Sequence, residues 1–182
     1  MKTLTLLRHA KSGWDDPALR DFDRTLNEKG QRAAATVGRQ MKAMGLTFDH
    51  IVASPAVRVV ETLDHAGRGY GAKLSPQWDR RLYLASNESL LDAVHSLPDT
   101  AASALIVGHN PGLEELVLAL VPECDDNCLR DDVEVKFPTA SLAVMTFAVG
   151  HWGEVAPAGA TLTHFVRPRD LDPALGPDEE GS

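Results

Sequence analysis

The chain has 182 residues, 43% hydrophobic and 24% charged, enough for one sizeable core and too few for two full-sized domains. Its 18 Lys and Arg against 26 Asp and Glu leave a formal net charge of −8, the wrong sign for a chain that neutralises nucleic-acid phosphates, so no nucleic-acid partner is expected. No apolar run approaches the roughly 18 residues that cross a bilayer, and Arg8 and His9 interrupt the N-terminus before a signal core forms, so the expectation is no membrane association and a cytoplasmic location.

Strand-length apolar runs alternate with helical patterns, which predicts an α/β domain with a largely parallel sheet over residues 1–166. A first strand covers residues 2–7. The polar stretch 11–26 that follows is too long for an idle connection and reads as a loop over a site. A helix is expected to start near Thr25, where Thr25 and Glu28 have capping-box spacing; Ala33, Ala34, Val37, Met41 and Met44 form its apolar face and Gly45 its end. A second strand, 48–53, runs into Ser54-Pro55, read as helix cap and first helical residue, with Val57, Val60 and Leu63 turned to the core. A weak strand is expected in 73–78, a helix over 86–97 and a fully apolar strand over 104–107. Gly108-His109-Asn110-Pro111-Gly112 leads into a helix over 113–121, whose first-turn Glu114 and Glu115 favour the helix dipole.

Strands at 141–149 and 160–166, separated by a Gly- and Pro-rich loop, are expected to pair antiparallel. The acidic segment 123–134 reads as a solvated connection. Its Cys124 and Cys128 make neither a disulfide framework nor a complete metal site, and are expected as reduced surface thiols. Residues 167–182, rich in Pro and acids, are expected to form a flexible tail with no catalytic role.

Three strand ends carry unusual residues: Arg8-His9, the 54–58 segment ending in Arg58, and Gly108-His109-Asn110. In open α/β sheets the ligand crevice lies at the carboxyl ends of the strands, so the three segments should converge. That gathers two imidazoles with two guanidiniums, whose forks match phosphate oxygens, and places Arg58 in a helical first turn. No P-loop, dinucleotide fingerprint or GxSxG is present, and neither His9 nor His109 has ligand-spaced partners for zinc.

Taken together, Leu7-Arg8-His9-Ala10 with residues 11–14, Ser54-Pro55-Ala56-Val57-Arg58 with Glu61-Thr62, and Val107-Gly108-His109-Asn110-Pro111 resemble the motifs of the histidine phosphatase superfamily. The short length and the Asp21-Phe22-Asp23-Arg24-Thr25-Leu26 segment resemble its SixA-type phosphohistidine phosphatases. The resemblance covers residues 2–166. It implies a phosphoglycerate mutase-like three-layer α/β/α sandwich with a mostly parallel central sheet. It also implies that His9 is the nucleophile, with Arg8, Arg58 and His109 holding the phosphate, and that Ser12 and Asn110 lie where substrate is bound. No metal and no cofactor are implied. The implied partner is a phosphohistidine-bearing protein or a small phosphate ester.

Phosphoester-cleaving members carry a leaving-group acid in a Leu-x-Glu-type segment, where this chain reads Trp78-Asp79-Arg80-Arg81-Leu82-Tyr83. Asp79 and Asp15 are the candidates for a general acid, and the lack of a clear one fits a nitrogen leaving group. The alternatives are a phosphatase of a small phosphoester metabolite and a phosphoprotein-binding regulatory module with little catalysis.

Overall fold

The computed structural model describes residues 1–14, 16–125 and 128–177. Six strands, β1 (Lys2–Arg8), β2 (His50–Ala53), β3 (Gln77–Trp78), β4 (Ser103–Gly108), β5 (Leu142–Phe147) and β6 (Ala160–Val166), form one sheet in the order β3-β2-β4-β1-β5-β6. The first four are parallel and the last two antiparallel, as the alternation and the Gly/Pro loop predicted. Both sides of β1 and β4 are buried, which is why their sequences are continuous apolar runs rather than alternating ones.

Helices cover both faces. On one, α1 (Glu28–Ala43) and α2 (Val57–Tyr70) pack over Leu7, Leu105, Val107 and Val144. On the other, α3 (Asn87–His95), α4 (Gly112–Leu120) and α5 (Leu129–Val135) pack over Leu4, Leu6, Ala104, Ile106 and Met145. This is the three-layer α/β/α sandwich. α1 and α2 cross with their backbones almost touching: a β-carbon on Gly38 would lie 2.0 Å from the Ala66 carbonyl oxygen, and one on Gly69 equally close to that of Ala35.

Several local expectations need correction. α1 is capped by Asn27, whose side chain accepts from the Gly30 amide, rather than by Thr25. Ser54 does not cap α2, which starts at Val57 without a side-chain cap; the Ser54 hydroxyl accepts from the Ala56 amide at 3.3 Å, ahead of the helix, and from His109. The acidic connection holds α5, anchored by the fully buried Val133 with Leu129 packed beside the same core, an apolar signal that composition could not weigh against its charged neighbours. Cys124 and Cys128, expected as reduced thiols, are joined as a disulfide.

The segment expected as a flexible tail contains α6 (Pro168–Leu171) and a 3-10 turn, Pro173–Leu175. Leu171 and Leu175 pack against the core beneath α1, a two-residue apolar signal too short to read as periodicity. Residues 178–182 lie outside the described residues. No helix among the described residues is long and apolar enough to cross a membrane.

Candidate active site

The carboxyl ends of β1, β2 and β4 bring the three segments together. His9 follows β1 directly, and its amide is held by the Gly108 carbonyl at 3.1 Å, which ties the first segment to the third. The Ser54 amide bonds the Val107 carbonyl, also at 3.1 Å, tying in the second. The imidazole centroids of His9 and His109 are 5.3 Å apart, and Arg58 Nη2 lies 3.3 Å from His109 Nδ1. His9, Arg58 and His109 are all buried, with relative exposures of 7%, 3% and 2%, so their interactions act in a medium that strengthens them.

The hydrogen bonds fix both tautomers. His9 Nδ1 lies 2.7 Å from the Ala10 carbonyl oxygen, which can only accept, so Nδ1 carries the proton and Nε2 keeps its lone pair. His109 Nδ1 faces a guanidinium that can only donate, so Nδ1 is the acceptor and Nε2–H donates to Ser54 Oγ at 2.8 Å. Burial, opposed by the Ala10 bond and reinforced by the charges of Arg58 and Arg8, pushes the His9 pKa down to about 3. Burial and then Arg58 take His109 down to about 4. Both rings are therefore neutral in the free protein near pH 7.

Arg8 donates from Nη1 to the Phe137 carbonyl at 2.9 Å, while its buried Nε has no partner among the described residues. Arg58 sits in the first turn of α2 and is bound by a residue that sequence reasoning passed over, Asp21. Nη1 donates to the Asp21 carbonyl at 2.7 Å and Nη2 to its carboxylate at 3.0 Å. Tyr83 also donates its hydroxyl to that carboxylate, and Arg24 Nη1 reaches it at 3.2 Å. Burial would raise the Asp21 carboxyl, but Tyr83, Arg58 and Arg24 together hold it below its ordinary value. A carboxylate thus occupies the Arg58 fork in the free protein. Asp21 lies in the 21–26 segment that carried the resemblance and so had a signal; Tyr83 had none.

The remaining candidates are placed as follows. Ser12 pairs with Leu26 in an isolated bridge, and its hydroxyl accepts from Arg24. Asn110 uses both ends of its side chain structurally, donating to the Phe137 carbonyl at 3.0 Å and accepting from the Glu114 amide at 3.2 Å. Asp79 caps the 3-10 turn 80–82 and is gripped by Arg81, whose hydrogen bonds hold its carboxyl low and ionised, the wrong state for a proton donor. Asp15 lies outside the described residues. Thr62 ties the site's floor, accepting from the Ala10 amide at 2.9 Å and donating to the Arg58 carbonyl at 2.6 Å. Among the described residues, the site histidines belong to no cluster of potential metal ligands.

Comparison with known proteins agrees with this architecture. The family described as "Histidine phosphatase superfamily (branch 1)" matches residues 4–83. An uncharacterised protein of Mycobacterium tuberculosis is 33% identical over 164 residues, which span 90% of this chain and all of that protein. The crystal structure of a putative phosphohistidine phosphatase SixA from Agrobacterium tumefaciens superposes with a TM-score of 0.77 at 29% identity, covering 92% of this chain and 98% of that one. A putative SixA from Nakamurella multipartitia gives the same TM-score at 30% identity, covering 92% and 96%. The chain belongs to the histidine phosphatase superfamily. Within it, the whole-length likeness places the chain with the SixA-type members.

Proposed function

We propose that the chain is a phosphatase that takes a phosphoryl group onto His9 and passes it to water, with protein phosphohistidine as its substrate. The observation that carries this reading is the His9 tautomer: the Ala10 carbonyl holds the proton on Nδ1 and leaves Nε2 as a neutral, buried nucleophile beside two guanidiniums. In the proposed reaction Nε2 attacks phosphorus as the bond from phosphorus to the substrate's imidazole nitrogen breaks. The departing imidazole keeps that electron pair. Arg8, Arg58 and the His109 N–H, redirected from Ser54 to the phosphate, meet the charge on the three equatorial oxygens, the positioning and electrostatic work that dominates phosphoryl transfer. Water then attacks the phosphohistidine formed on His9, releasing inorganic phosphate and restoring the imidazole.

A nitrogen leaving group needs little protonation, which suits a site where Asp79 is committed to Arg81. Nothing in these steps calls for a metal or cofactor, so activity should persist in chelator. The small-phosphoester reading has one feature in its favour: burial raises the carboxyl of Glu114 against the lowering effect of the Arg8 charge.

The deciding test is phosphate release, in chelator, from a phosphohistidine-bearing protein and from p-nitrophenyl phosphate, with His9→Ala as the blank. The expected result is preference for the phosphohistidine by at least about tenfold, roughly 1.4 kcal/mol in the transition state, and loss of both activities in the variant. The opposite preference moves the assignment to small phosphoesters, and undiminished release by His9→Ala overturns the mechanism.

A further inference from the structure

The C-terminal segment closes a cavity of about 390 Å³ against the far side of Arg8, between the start of α1 and the stretch that enters β5. Among the described residues, six cationic side chains line it, Arg8, Lys11, Lys29, Lys136, Arg167 and Arg169, and no acidic one does. In a chain with a net charge of −8 that concentration is not a consequence of composition. It is assembled from four places far apart in the sequence. Some of the charge is already engaged: Arg167 pairs with Asp170 at 3.0 Å, and Lys29 donates to the Gly176 carbonyl. Lys136 is exposed and has no ionic partner among the described residues.

Holding like charges around one cavity costs energy unless an anion shares the space. The volume falls in the range of small-ligand sites, and guanidinium forks suit tetrahedral oxyanions. Arg8 is common to this cavity and to the phosphoryl site, so the two are neighbouring compartments. From this we infer that the cavity is a second anion subsite, which takes a phosphate-type oxyanion carried by the substrate next to the group transferred to His9. The inference rests on the proposed role of Arg8 in holding that group. It adds a specificity: substrates with a second negative group on this side are favoured over isolated phosphates.

Binding of tripolyphosphate, followed by calorimetry at constant ionic strength, tests it without requiring turnover. The double variant Lys136→Ala/Arg169→Ala should weaken binding by about tenfold or more, and Lys136→Glu alone, at an exposed position, should weaken it in the same direction. A control of equal charge change on exposed residues outside the cavity, Arg39→Ala/Lys73→Ala, should bind as the wild type does. Equal binding by the cavity variant and the wild type, or equal weakening by the control, overturns the subsite. Competition in the wild type distinguishes the anion's source. Tripolyphosphate competitive with p-nitrophenyl phosphate supports a substrate-borne group; non-competitive inhibition overturns that part and leaves a free effector. Tight cavity-dependent binding without phosphohistidine hydrolysis would defeat the functional proposal alone, and normal hydrolysis with cavity-independent binding would defeat this one alone.

Discussion

The chemistry of a neutral imidazole depends on which nitrogen holds the proton, and here a single backbone carbonyl, that of Ala10, decides it. Because burial takes His9 to about 3, kcat/KM, which reports the free protein's ionisations, should hold its value well below the ordinary histidine pKa of 6.5. A pH–rate profile on p-nitrophenyl phosphate checks this. An acidic limb centred near 6.5 would mean that His9 is solvated and charged where the structure has it dry and neutral. Asp21 makes a second prediction at this scale. Its carboxylate occupies the Arg58 fork that phosphate is proposed to take, so Asp21→Asn removes an internal competitor. Orthophosphate should then inhibit roughly two- to fivefold more tightly, the scale of one partly exposed ion pair. Weaker inhibition would show that Asp21 aligns Arg58 more than it blocks it.

Among the elements, the contact between α1 and α2 sets how closely the two helices that carry the loop 11–26 and Arg58 can approach. Gly38→Ala puts a methyl 2.0 Å from the Ala66 carbonyl oxygen, so a helix must shift. The expected loss is about 1–3 kcal/mol, the usual cost of overpacking, read from the urea midpoint. The start of α1 gives a sharper contrast: Asn27→Ala should cost about 1 kcal/mol by removing the cap on Gly30, whereas Thr25→Ala should stay within about 0.5 kcal/mol. The reverse order would restore the capping box read from the sequence. That reading failed because Thr25, Asn27 and Glu28 are all plausible at a helix start, and the isolated bridge between Ser12 and Leu26 pulls the chain extended through Thr25. Ser54 was misread for a similar reason. Its sequence neighbours suit a cap, but the helix starts two residues later than Pro55, and the Ser54 hydroxyl, besides accepting from Ala56, meets His109 from 55 residues away.

For the molecule as a whole, the two buried histidines link folding to pH. Their folded pKa values, about 3 and about 4, lie below the unfolded 6.5, so between these limits the unfolded chain binds more protons. The stability they contribute is complete above pH 6.5 and is lost as pH falls toward 4 and then 3. The slope is about 1.4 kcal/mol per pH unit for each proton by which the states differ. Urea midpoints should therefore be level from pH 7 to 8 and fall between 6 and 4.5, and a flat profile across that interval would contradict the burial of both rings.

The sequence by itself determined the alternation of strands and helices, the antiparallel pairing of β5 with β6, and Arg8, His9, Arg58 and His109 as the residues to gather. Each of these rests on local information: hydrophobic periodicity over a few residues, turn chemistry, and motifs at the ends of apolar runs. Only the tertiary structure decided what depends on partners distant in the chain. It gave the tautomers of His9 and His109, Asp21 and Tyr83 on Arg58, the engagement of Asn110 and Asp79 in local structure, and the C-terminal turn that completes a cationic cavity. The physical reason is that a hydrogen bond or a shared field is set by distance in space, and the fold brings Arg58 to Asp21 and to His109 across 37 and 51 residues of chain. No window of neighbouring residues carries that distance.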